Sequence, residues 1–216
     1  MSIKYGNKIN FLSSHSIAYK LIESKSKILS IGCGQAFVEN LLQKNKNCLV
    51  QGIDIIHKRF VKIKNYQRRD LNTLKFKKLN FDYVLLLDIL EHLDSPEKFL
   101  KRIKDNILHK KNILIISVPN IANIAIRLML LFGKFNYTER GILDKTHKKF
   151  YTLDSIKKTI TKEGFFVKKV YYIPIPFPLF VKNQYLSVML MYIYNIFTQF
   201  FGSLFSYQFL LIVRKK

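Results

Sequence analysis

The first half of the chain alternates short apolar runs with stretches in which apolar residues recur every three or four positions. The runs fall at 27–31, 49–53, 81–87 and 112–118, the length of strands buried on both faces, and a short further strand candidate lies near 66–69. Between them Phe37, Val38, Leu41 and Leu42 space a helix whose Glu39 and Asn40 are expected to face water. Ser95-Pro96-Glu97 supplies a cap and a first-turn proline for another helix, with Phe99, Leu100, Ile103 and Ile107 as its buried stripe. This alternation predicts an α/β chain of Rossmann-like, doubly wound type. Its sheet is mostly parallel, with helices on both faces and ligands at the C-terminal strand ends.

After Pro119-Asn120 the rhythm changes. Residues Ile121 to Phe132 form a strongly apolar helical stretch broken only by Arg127, and a polar insertion runs from Gly133 to Thr152. A helix over 153–163 and a strand over 165–172 follow, and Pro174, Pro176 and Pro178 stop regular structure. From Asn183 to Val213 no side chain is charged, a length that satisfies a membrane-spanning helix. Asn195, Thr198, Gln199, Ser203, Ser206 and Gln208 interrupt that run and Gly202 divides it. The pattern therefore predicts a helix over 185–201 and an antiparallel last strand over 207–213, the seventh of the sheet. Ile9, Leu12, Ile17 and Leu21 stand at helical spacing near the N-terminus. The expected organisation is one domain over 1–216, with 1–24 as a helical cover and with 119–152 and 174–205 as substrate-side insertions that roof the site.

Gly32 and Gly34 join the first strand to the first crossover helix, a turn that lets backbone approach a ligand beside unpaired helix N–H groups. By itself such a turn is a common strand–helix corner. Acidic residues close the strands beside it: Asp54 stands about 20 positions beyond the glycines, where an acid meets ribose hydroxyls. Asp70 follows the third strand and Asp88 the fourth. Three carboxylates would repel a pyrophosphate; they suit hydroxyls, an exocyclic amine and a cationic centre.

Residues 28–34, Gly52-Ile53-Asp54, Arg69-Asp70-Leu71 and 81–93 with Pro96, taken in order, give the chain its resemblance to the class I S-adenosylmethionine-dependent methyltransferases. The resemblance covers roughly residues 20–175. It implies that Gly32, Cys33 and Gly34 pass under the methionine part of S-adenosylmethionine and that Asp54 takes the ribose hydroxyls with Ile55 against the adenine. It also implies that Asp70 and the Leu71 N–H read the adenine edge, and that Asp88 and Ile89 line the sulfonium side. Two positions depart from the family pattern. Ser30 stands where an acid is usual, and Ala36 replaces the third small residue, which a negative φ would tolerate.

Two histidines compete to take the acceptor's proton. His92, in Glu91-His92-Leu93, follows the fourth strand, and His147 lies in the late insertion with Asp144 three residues before it. Residues 141–152, with Pro119-Asn120 upstream, resemble methyltransferases found with bacterial surface-polysaccharide and lipopolysaccharide genes. His147 and Asp144 are therefore the catalytic candidates, against the blander reading of an exposed histidine in a lysine-rich loop.

Absences narrow the substrate. Asp88-Ile89-Leu90-Glu91 is not the Asn/Asp-Pro-Pro-aromatic motif of base-amine methylation, and Cys48 is misplaced as a nucleophile for pyrimidine carbon. No His/Asp/Glu cluster suggests a catechol-type metal site, and no metal ligand is expected. A sugar or small-molecule hydroxyl is the favoured acceptor, including one on a lipid-linked glycan precursor.

Composition adds a formal net charge of +23. Its lysines are scattered through almost every segment among abundant Asn and Ile, the mark of compositional bias, with an anionic membrane surface or RNA as secondary explanations. Cys33 and Cys48 give no disulfide framework, and residues 1–19 lack the apolar core of a signal peptide, so a cytoplasmic location with peripheral contact at the inner membrane face is expected. The rivals are an RNA methyltransferase and a non-catalytic cofactor-binding scaffold.

Overall fold

The computed structural model describes residues 9–76, 80–107, 109 and 111–216, so the first eight residues of the expected N-terminal cover lie outside it. The expected strands form as seven: β1 (Lys27–Ile31), β2 (Leu49–Asp54), β3 (Tyr66–Arg68), β4 (Tyr83–Leu87), β5 (Ile113–Pro119), β6 (Phe165–Ile173) and β7 (Gln208–Lys215). They join one sheet in the order β3-β2-β1-β4-β5-β7-β6. β1 to β5 pair in parallel, and β7 runs antiparallel between β5 and β6, as expected of the last strand.

Alternation within each strand feeds two cores. On β4, Val84 and Leu86 face one side, where they pack with Phe99, Leu100 and Ile103 of α3 (Pro96–Asn106) and Ile156 and Ile160 of α5 (Leu153–Lys162). Tyr83, Leu85 and Leu87 face the other side, with Ile17 and Ala18 of α1 (Ser14–Leu21) and Val38 and Leu42 of α2 (Phe37–Lys46). A period of two in the strands and near four in the helices thus gives helices on both faces.

Several boundaries move for visible reasons. β4 begins at Tyr83 rather than residue 81, since the Asp82 carboxylate accepts the Lys27 N–H at 2.7 Å. The apolar helix α4 (Ile124–Leu131) starts three residues late because Asn123 caps it, its side-chain oxygen accepting the Ala125 N–H at 3.0 Å. β7 extends through Arg214 and Lys215, which pair with Phe166 and Phe165.

The long uncharged stretch resolves into α6 (Gln184–Phe201) and β7. No helix among the described residues is long and apolar enough to cross a membrane. α6 is inverted relative to an ordinary surface helix: Ser187 and Thr198 are buried, while Tyr185, Met189, Tyr192, Ile193, Ile196 and Phe200 are exposed.

Candidate active site

The turn between β1 and α2 is set by steric detail. Gly32 has φ +75°, and a Cβ there would stand 1.8 Å from Cδ1 of Ile89, so the glycine and Ile89 fit against each other. Gly34 has φ +53°, and nothing lies within 4 Å of where its Cβ would be. That open space faces a turn whose backbone is already committed: Gly32 N–H donates to the Ile53 carbonyl at 2.7 Å, and Gly34 N–H to Asp54 Oδ2 at 2.7 Å. The second oxygen of Asp54 accepts from Ile55 N–H (2.6 Å) and Ile56 N–H (3.2 Å). Three backbone donors therefore fix the orientation of this carboxylate, with lone pairs left for ligand hydroxyls. Beside it Ile55 stays 54% exposed, a flat apolar surface at the end of β2.

Tyr66 completes this corner, and sequence reading missed it. Its hydroxyl donates to the carbonyls of Asp54 (2.9 Å) and Ile56 (2.6 Å), while Arg68 Nε donates to Ile55 O (2.9 Å). Burial and the charge of Asp54 push the phenol well above its ordinary range, so it remains a donor.

Glu39, held by Ser30, corrects one expectation. Glu39 does not face water but is 4% exposed, and the Ser30 hydroxyl donates to its Oε1 at 2.5 Å. Burial pushes the carboxyl up to about 7, against the lowering effect of the Ser30 hydrogen bond. Its charge is felt at Cys33 and couples to Asp54, so a carboxyl from α2 stands beside the β1 position where an acid is usual. Burial, with Glu39 next, also pushes the Cys33 thiol up, which leaves it inert. Ala36, expected at negative φ, sits at +58° as the residue that starts α2, a left-handed position that costs a non-glycine residue about 1–2 kcal/mol.

Asp70 lies less centrally. It is exposed, and its Oδ1 accepts the Asn72 N–H at 2.9 Å. Leu71 is buried, and Arg102 holds the turn by donating to the carbonyls of Leu74 (2.7 Å) and Leu71 (3.2 Å). A cavity of about 490 Å³ between the β1–β2 face and the 69–76 segment takes in Asp70 but none of the other predicted cofactor residues.

Asp88 marks the other end of the cleft. It is left-handed (φ +59°), and its Oδ1 accepts from the Ser117 hydroxyl at 2.5 Å and from the side-chain amide of Gln208. Next come Leu90–His92, a single 3-10 turn, and the late insertion docks onto it: the Glu91 carbonyl accepts the N–H groups of Lys148 (2.7 Å) and Lys149 (3.0 Å). This docking brings His147 to His92, ring centroids 4.8 Å apart and edge to face. Burial, followed by the neighbouring His92, lowers the His147 pKa, keeping its imidazole neutral at neutral pH.

Asp144 serves the loop and only indirectly the ring. Its Oδ1 accepts from Thr146 N–H (2.8 Å) and hydroxyl (2.6 Å), whereas His147 Nδ1 faces the Ile142 carbonyl at 3.0 Å. Tyr207, read from sequence as plain strand, is half-buried with its hydroxyl toward Gly141; burial and then Asp88 and Asp144 push it up to about 12. Sequence reading also missed a grouping in which Glu91, His92 and His147 place one ligand atom each within 4.8 Å of one another.

The profile of a family described as "Methyltransferase domain" matches residues 4–170. Among solved structures, a SAM-dependent methyltransferase from Archaeoglobus fulgidus superposes with a TM-score of 0.60 at 20% identity, over 97% of each chain. An S-adenosylmethionine-dependent methyltransferase from Mesorhizobium loti gives 0.63 at 14% identity, over 94% of this chain and 98% of its own. Magnesium protoporphyrin IX methyltransferase from Synechocystis, solved with bound SAH, gives 0.56 at 16% identity, over 93% and 78%. At such identities the likeness is one of fold. No curated protein sequence matches the chain.

Proposed function

The chain belongs to the methyltransferase-domain family, and we propose that it methylates a hydroxyl of a sugar or small molecule, with S-adenosylmethionine as donor. The residues fit that cofactor: open space over Gly34, an Asp54 carboxylate pre-set by three N–H groups, the exposed Ile55 beside it, and Asp88 across the cleft. Asp54 would hold the ribose, Asp70 and Leu71 the adenine edge, and Ile89 and Asp88 the sulfonium side. The Ser30–Glu39 pair would take over the task of the usual strand acid, as the nearest carboxylate to the methionine ammonium. When bound, the cofactor supplies an electrophilic methyl carbon on a cationic sulfur. What this chain adds is alignment, exclusion of water, and a place for the acceptor's proton.

One observation carries the choice of acceptor. His92 and His147 meet at the Asp88 end of the cleft, with Tyr207 behind them. A neutral imidazole in that position suits a hydroxyl, and His147 would take its proton.

The acceptor is presented at an anionic bilayer, on this reading. Apart from Leu49, Ile55 and Phe166, the exposed large hydrophobic residues among those described lie in 128–137 and 179–201. Both segments emerge at the C-terminal ends of parallel strands, β5 and β6, the end at which the cleft opens. A net charge of +23 complements an acidic surface. Incubation with methyl-labelled S-adenosylmethionine and either lipid-linked glycans, a soluble extract or RNA tests this. Label in an alkali-stable methyl ether of the lipid or sugar fraction is the expected result. Label confined to RNA, with binding that falls steeply with salt, would replace this reading with the RNA one. Cofactor binding without transfer to any fraction would leave a scaffold.

A further inference from the structure

We propose that Glu91, His92 and His147 hold a divalent transition-metal cation at the acceptor end of the cleft. The ligand atoms come from two segments more than fifty residues apart, yet lie within 4.8 Å of one another. Metal–nitrogen bonds of about 2.0–2.1 Å place neighbouring ligands roughly 3.4 Å apart, so closing the site takes about 1 Å of side-chain adjustment.

The surroundings are those of a built site. His92 Nδ1 lies 3.2 Å from the Thr146 carbonyl and His147 Nδ1 lies 3.0 Å from the Ile142 carbonyl. A ring that donates from Nδ1 to a carbonyl keeps its lone pair on Nε2, the arrangement of a metal-ligating histidine. Asp144 holds Thr146, and the Glu91 carbonyl pins Lys148 and Lys149, so both rings are fixed by the same few residues. Glu91 itself is 1% exposed, where low dielectric strengthens its attraction for a cation. The adjacent cations are turned aside: Lys148 Nζ pairs with Asp94 at 2.6 Å and Lys145 Nζ with Glu139 at 2.5 Å.

Two imidazoles and one carboxylate suit ions of the zinc, manganese, iron(II) and cobalt(II) class and leave coordination positions open. An acceptor hydroxyl bound there loses its proton to water more readily, the O–H electron pair staying on the oxygen held by the cation. This deepens the proposed hydroxyl methylation and rests on it, giving His147 the role of ligand to the activating ion.

The test uses Co²⁺ on the full chain after chelator treatment, read by its visible absorption, with S-adenosylhomocysteine binding followed separately by calorimetry. The expected result is one Co²⁺ per chain, weakened by about a hundredfold or more in His92→Ala and in His147→Ala. Both variants should keep the wild-type far-UV spectrum and S-adenosylhomocysteine binding. Co²⁺ binding that survives both substitutions, or folded wild-type protein that takes up no Co²⁺, overturns the proposal. If S-adenosylhomocysteine still binds in that second case, the methyltransferase reading stands and His147 reverts to a base. Loss of cofactor binding with Co²⁺ binding intact would break the methyltransferase reading and leave the metal site.

Discussion

On the cofactor side, the contacts that shape the site join residues close in sequence: Ser30 to Glu39 across nine positions, Tyr66 to Asp54 across twelve, Gly34 to Asp54 across twenty. On the acceptor side they span 29 positions from Ser117 to Asp88, 54 from Thr146 to His92 and 120 from Gln208 to Asp88. The first half is a strand–turn–helix unit with its neighbouring strand, assembled by local chain geometry. The second half exists only once the insertion and the last strand have come home. Cofactor binding and turnover should therefore fail separately when each half is damaged.

Removing the acceptor-side imidazole has the largest expected effect. His147→Ala should lower kcat about 10²- to 10⁴-fold, the range of a lost proton-handling group. Its affinity for S-adenosylhomocysteine should stay within about twofold of the wild type. A parallel loss of cofactor affinity, measured by calorimetry, would mean that the halves are not separable.

The next effect belongs to the cofactor side. Gly32→Ala combines a left-handed backbone (φ +75°) with a Cβ 1.8 Å from Ile89, and should destabilise the fold by roughly 4 kcal/mol. Gly34→Ala meets no neighbour and should cost only about 1–2 kcal/mol of stability, yet its methyl group enters the space over the turn. Denaturant titration of both variants, with calorimetry on Gly34→Ala, separates a packing glycine from a ligand-facing one. Equal destabilisation of the two would contradict this division.

Glu39 gives a smaller, pH-dependent effect. Its carboxyl is raised from 4.5 to about 7 in the folded chain, so the folded state holds its proton more tightly than the unfolded state. Stability from this group is full below pH 4.5 and falls as pH rises to about 7. At 1.36 kcal/mol per unit the loss is about 3 kcal/mol. Glu39→Gln should flatten that slope and, at pH 8, be more stable than the wild type while binding S-adenosylmethionine more weakly. A wild-type stability that rises between pH 5 and 7 and stays unchanged by the substitution would show that this carboxyl is ionised throughout.

These contrasts explain how far the sequence could be read. The central strands β1, β2, β4 and β5 and the glycine turn were legible because buried parallel strands impose apolar runs and the turn imposes glycines. The place of Asp54 beside that turn was legible too, being at a fixed distance along the chain. Glu39 was misread because helical periodicity assigns a face and cannot see a hydroxyl on the neighbouring strand that turns a carboxylate inward. Tyr66, Gln208 and Tyr207 were missed because their roles depend on where a strand ends relative to a partner 12 to 120 positions away. The Glu91–His92–His147 grouping is invisible for the same reason: its members meet only because the Glu91 carbonyl receives two N–H groups from the insertion.

The smallest effect concerns the surface where sequence and fold are most at odds. α6 turns Ser187 and Thr198 inward and leaves Tyr185 91% and Phe200 82% exposed, so its apolar face contributes little to the core. Phe200→Ser should therefore change unfolding stability by less than about 0.5 kcal/mol, as at other exposed positions. On anionic vesicles the same substitution should weaken association about tenfold, since a buried aromatic side chain is worth about 1.5–3 kcal/mol. Neutral vesicles should bind both forms poorly, because the apolar face acts together with the chain's positive charge. Flotation of wild type and variant with both lipid compositions reads all three outcomes. Wild-type protein that stays at the bottom of the gradient, and sediments as a dimer that Phe200→Ser dissociates, would assign the face to a second copy of the chain and remove the bilayer from the proposed function.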